Sequence, residues 1–145
     1  MSDPAGQADA AEFAKAFVDA VAWNVHTEVW DMLSDGARLA VLEVATRRGM
    51  DALLSARLRE GTAAVDERDD FLADLLHGLR SELIGVDTDA LRYELVGAGE
   101  TVDGSTLVRM VIDLPVELGA PVPVAHLELI DERDRWRIVR LDAVR

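Results

Sequence analysis

The stretch TLVRMVIDLPVEL, residues 106–118, decides the fold. Val108, Met110, Ile112, Leu114, Val116 and Leu118 occupy every second position, with Arg109, Asp113 and Glu117 between them. A period of two belongs to a strand with one buried face. The stretch predicts a long strand, Thr106–Leu118, in a sheet on which the rest of the chain packs. Upstream, Leu91–Thr101 repeats the pattern, with Leu91, Tyr93 and Leu95 opposite Arg92 and Glu94. Gly97 and Gly99 predict a bulge or bend there, and Asp103-Gly104 is a hairpin turn signal. Downstream, Gly119-Ala120-Pro121 turns the chain into Val124–Asp131, and the charged turn Asp131–Asp134 leads into Arg135–Val144. The apolar phase of that last strand shifts between Trp136-Ile138 and Val139-Leu141, which predicts a bulge near Ile138-Val139.

Before the sheet the period changes from two to three and four. Met1–Gln7 is small, polar and broken by Pro4, and reads as a disordered N-terminus. Residues 8–145 read as a single domain. Phe13, Phe17, Ala20 and Val21 mark a helix from Ala8 to about Val25. Thr27 is the expected cap of a short helix, Glu28–Leu33, and Ser34 or Asp35 the expected cap of Ala37–Arg48. Met50–Arg59 follows, with Leu53, Leu54 and Leu58 inward and Gly61 ending it. Asp66–Ile84 has carboxylates in its first turns and a stripe of Phe71, Leu72, Leu75, Leu76, Leu79 and Leu83. Helices followed by a curved antiparallel sheet of about four strands make an α+β fold.

Composition narrows the chemistry. The chain has 145 residues, 50% hydrophobic, a net charge of −13 and no cysteine. Disulfides, thiolate metal sites and a cysteine nucleophile are excluded, and a reducing cytoplasm fits. An acidic surface repels phosphates, so neither nucleic acid nor a membrane is expected as a partner. His26, His77 and His126 lack the spacing of a helical zinc pair, so no metal site is assigned. No cofactor motif is present.

Two stretches resemble a known family. Val29-Trp30-Asp31-Met32-Leu33-Ser34 followed by Ala37-Arg38 is similar to the opening of nuclear transport factor 2-like domains. Asp134-Arg135-Trp136-Arg137-Ile138 is similar to their last strand. The chain differs in its helical sequence between residues 37 and 60. The resemblance implies a cone, in which a curved sheet wraps a helix and leaves a pocket at the open end. Members include ketosteroid isomerases, polyketide cyclases, dehydratases and non-enzymatic dimerisation modules, so the fold leaves function open.

On these terms Phe17, Trp23, Trp30 and Tyr93 are the expected lining of an apolar pocket. An acid–base enzyme would draw on Asp31, Tyr93, His126 and Glu128, since a carboxylate beside a histidine makes a proton-transfer unit. His126 and Glu128 alternate with Ala125, Leu127 and Leu129, so they share the other face of their strand, with Val122, Val124 and Ile130. The leading expectation is a non-enzymatic module that forms a homodimer through its sheet and takes a small apolar ligand or a protein partner. An isomerase, cyclase or dehydratase is the alternative, and an interaction module with a collapsed pocket is a third.

Overall fold

The computed structural model describes residues 4–96, 105–113, 116–133 and 135–143. Five helices come first: α1 (Pro4–Ala22), α2 (His26–Met32), α3 (Asp35–Arg47), α4 (Ala52–Glu60) and α5 (Val65–Glu82). Then come β1 (Leu91–Leu95), β2 (Ser105–Ile112), β3 (Val122–Glu132) and β4 (Arg135–Ala143). The strands form one antiparallel meander in chain order. This is the α+β fold expected, with the sheet curved and unclosed.

The helix ends follow from local chemistry. α1 begins at Pro4, before the expected Ala8; proline suits a first helical turn because its missing N–H has no acceptor there anyway. α2 starts at His26 behind Val25 without a side-chain cap, so Thr27 is not the cap expected of it. Ser34 does cap α3, its Oγ accepting from the Ala37 N–H at 3.0 Å. Asp51 caps α4 by accepting from the Leu53 N–H, and Gly61 closes it with φ at 78°, a backbone region that suits glycine. At the head of α5, Glu67 reaches back to the Ala64 N–H at 3.2 Å. Leu53, expected inward, is 70% exposed, while Leu58 is buried.

In the sheet, β2 stops at Ile112 instead of running to Leu118. Pro115 has no amide hydrogen to give a ladder, and Val116–Leu118 turns as a short 3-10 helix with Leu118 69% exposed. Leu118, the last of the alternating residues, is therefore no part of a buried face. β1 covers Leu91–Leu95, so Gly97, Gly99 and the Asp103-Gly104 turn lie outside the described residues.

Two bulges bend the sheet. Met110 faces Ala125 while Val111 faces Pro123, leaving Val124 without an opposite number. Glu128 faces Arg140 while Leu129 faces Ile138, leaving Val139 unopposed. The second is the bulge that the phase shift near Ile138-Val139 predicts. An extra residue bends and twists its strand.

Among the described residues, the helices that pack on the sheet do so on one face. α1 touches all four strands, and its Phe17, Val18 and Val21 are fully buried against Val108, Met110, Leu127, Leu129 and Ile138. Each large apolar side chain so buried contributes about 1.5–3 kcal/mol. α2 and α5 pack on each other and on β4. The α2–α3 joint also extends the sheet. Leu33 forms a parallel bridge to Ile138, and the Ser34 N–H donates to the Ile138 carbonyl at 2.8 Å. The β4 edge is closed there by a segment from the start of the chain.

Candidate functional site

The space beneath α1 is filled. Phe17, expected to line a pocket, is fully buried in the core between α1 and the sheet. Tyr93 stands on the inner face of β1 opposite Met110 and packs on that core. Its hydroxyl is buried with no hydrogen-bond partner among the described residues. Burial first, and then the Asp19 carboxylate, push the phenol above its usual range. Trp23 is 76% exposed just beyond α1, away from any such lining.

His126 and Glu128 do share a face, but it is the outer one. The inner residues of β3 are the buried Ala125, Leu127 and Leu129. His126 stands between Arg109 of β2 and Asp142 of β4. Glu128 faces Leu107 and Arg140, and Arg140 Nε approaches its carboxylate at 3.5 Å. Tyr93 is on the opposite face and Asp31 is at the end of α2, so the four acid–base candidates are not brought together.

The outer face follows from the register. Leu107, Arg109 and Val111 of β2 lie on it, with Arg92 and Glu94 of β1, Ile130 of β3, and Arg140 and Asp142 of β4. Arg92 donates to both Asp113 oxygens, at 3.0 and 2.9 Å, and to Glu94. The two carboxylates hold Arg92 above its usual range, and Arg92 holds Asp113 below its own. Leu107 and Ile130 are half-buried and outside the main core cluster, whereas Val111 is buried although it too lies outside that cluster.

Trp30 and Asp31 lie on a different feature, a cleft of about 370 Å³ between α2, α3, α4 and α5. Leu58, Leu72, Phe71 and Trp30 give it an apolar floor, and Arg38, Arg59, Arg68, Asp31 and Glu60 give it a charged rim. The Trp30 and Phe71 rings meet edge to face, their centroids 5.5 Å apart at 89°. The Arg38 guanidinium lies 5.5 Å from the Trp30 ring centre, a cation–π arrangement.

Arg38 is fixed from behind. Its Nε donates to the Trp30 carbonyl at 3.0 Å and its Nη2 to the Asp31 carbonyl at 3.1 Å. These oxygens belong to the C-terminal end of α2, where the dipole favours a cation. Arg137 of β4 donates to the same Asp31 carbonyl. Burial, followed by repulsion from Arg135, Arg38 and Arg133, lowers the Arg137 pKa, with Glu132 opposing. Like charges thus crowd this corner of a strongly acidic chain. A second, open groove of about 610 Å³ lies between α3 and α4, lined by Leu39, Leu42, Thr46 and Arg47 among others.

Sequence reading did not find Arg38, Arg59, Arg68 or Phe71 as a group. Their positions are spread over four helices, and no local spacing joins them. Nor does it pair His26 with Asp69, which meet at 3.1 Å. Among the described residues no three His, Asp or Glu side chains gather as metal ligands, and no helix is long and apolar enough to cross a membrane. No protein-family model matches the chain, and no curated protein matches it either.

Proposed function

We propose that this chain is a non-enzymatic module that self-associates through the outer face of its sheet. The observation that carries the reading is a sheet face that has no helical cover among the described residues and on which charges of both signs are interspersed. Arg92, Arg109 and Arg140 stand on it with Glu94, Glu128 and Asp142. Elsewhere a net charge of −13 makes two copies repel. Here arginines lie among the carboxylates and lessen that cost, and a two-fold contact sets each copy's mixed charges and apolar Leu107 and Ile130 against the same patch on the other. The curved meander behind a run of helices supports the likeness to nuclear transport factor 2-like domains. The separation of Tyr93 and Asp31 from His126 and Glu128 favours a binding role over acid–base catalysis.

Sedimentation equilibrium tests this. At tens of micromolar the protein is expected at twice its 15.8 kDa chain mass. Leu107→Lys with Ile130→Lys should leave a folded monomer, while Ile84→Lys, at a residue 84% exposed, should leave the dimer intact. A parent protein that stays monomeric under these conditions rejects the proposal. So does a dimer that survives the paired substitution.

A further inference from the structure

The cleft at Trp30 and Arg38 has the makings of a ligand site independent of the sheet face. Its volume of about 370 Å³ lies within the range of roughly 300–1,000 Å³ usual for small-molecule sites. Its lining sets a small apolar and aromatic floor beneath a charged rim, more polar than the lining usual for such sites. We propose that this cleft binds a small aromatic monocarboxylate, its ring against Phe71, Leu58 and Leu72 and its carboxylate between Arg38, Arg59 and Arg68.

Three features select that chemistry. The first is a prepositioned cation. Arg38 is held by two backbone carbonyls, which leaves its Nη1 without a partner among the described residues. A guanidinium already fixed loses little further freedom when it binds a planar carboxylate. The second is the charge balance. Arg38, Arg59 and Arg68 face Asp31 and Glu60 across the cleft, an excess of one positive charge in a chain of −13. A monoanion matches this excess, whereas a phosphate dianion overshoots it and meets a stronger repulsion from both carboxylates. The third is availability. Among the described residues Arg59 has no carboxylate partner, and Arg68 approaches only Asp69, at 3.7 Å. Both side chains can turn to an incoming anion.

Trp30 gives the site its own reporter. Titration with naphthoate, followed through amide and indole N–H chemical shifts, is expected to saturate with a Kd of about 1 mM or tighter. The shifts should centre on Trp30, Phe71 and Arg68. Arg68→Gln should weaken binding about five-fold, and Arg59→Gln with Arg68→Gln about ten-fold or more, the usual scale for charge-assisted hydrogen bonds. Both changes are at exposed side chains, so an unmoved urea midpoint will show that the fold is intact. Arg47→Gln, in the neighbouring α3–α4 groove, should leave binding unchanged. Naphthyl phosphate and naphthylmethylamine are the comparison probes, and both should bind more weakly. The proposal is overturned by shifts that do not saturate, by equal or tighter binding of the phosphate or the amine, or by binding that follows Arg47 instead of Arg68. Monomeric and dimeric protein should bind alike, so failure here and failure of self-association are separate results.

Discussion

Ser34→Ala isolates the joint between the helices and the sheet. Ser34 is 3% exposed, and its Oγ accepts the Ala37 N–H at 3.0 Å. Its own N–H goes to Ile138 and survives the substitution. The change therefore removes one cap and nothing else in the backbone. An N-cap lost to alanine costs about 0.5–2 kcal/mol. Ala37 is only 8% exposed, so water has little access to the orphaned amide. A buried unsatisfied donor costs roughly 1–3 kcal/mol, which puts Ser34→Ala near the top of the capping range, at about 2 kcal/mol. Asp51→Ala is the internal comparison. Asp51 caps α4 with the same kind of bond, at 3.1 Å to Leu53, but on an exposed surface. Water replaces it there, and the cost should be about 0.5 kcal/mol. Urea unfolding reads both. With a slope of about 1–3 kcal/mol per molar, Ser34→Ala should move the midpoint by about 1 M and Asp51→Ala by far less. Equal losses at the two caps would refute the reasoning, because burial would then have no part in the cost.

Three further predictions test other parts of the molecule. Phe17→Ala should cost about 3–5 kcal/mol, measured in the same unfolding experiment, since the ring is fully buried under α1. Tyr93→Phe removes a buried hydroxyl with no partner among the described residues, and should leave stability unchanged or raise it by up to about 1 kcal/mol. Because Tyr93 is the one tyrosine, ultraviolet titration of its phenol should give a midpoint above the usual value of 10.0; the raised folded pKa favours the neutral form, so this contribution is present below that value and is lost as the pH climbs towards the folded pKa. Arg92→Ala should raise the Asp113 pKa back towards 3.8, read by carboxyl carbon shifts. With its folded pKa depressed, Asp113 favours the native state above that value and loses the advantage in acid, so parent and variant should differ most near neutrality and converge at low pH.

The sheet and its helices were legible because their signals are local. Alternation at Val108 and Met110 and at Ala125, Leu127 and Leu129 reports burial directly, and an extra residue at Val139 shows as a slip in that alternation. Alternation alone does not fix where a strand ends: β2 stops at Ile112 and Val116–Leu118 is a 3-10 turn, although the apolar pattern runs on to Leu118. The candidate sites were less legible. Face membership placed His126 and Glu128 together, but which face the helices cover depends on the way the whole chain folds over. Trp30 could be singled out as an aromatic residue near a helix end. Its neighbours Phe71 and Arg68 come from another helix, and only tertiary packing brings them near.

The bond from Ser34 to Ile138 has a consequence for how the protein is made. It ties the first quarter of the chain to the last strand. During synthesis, a nascent chain that has already released all of its helices still lacks the acceptor for that amide. α2 and α3 can form early, but they cannot take their final seat until β4 has left the ribosome. Until then the strands already released have a bare edge in place of β4 and only part of the inner face that α1 covers. Such edges are sites of mispairing. Closure of the joint thus waits on completion of the last strand.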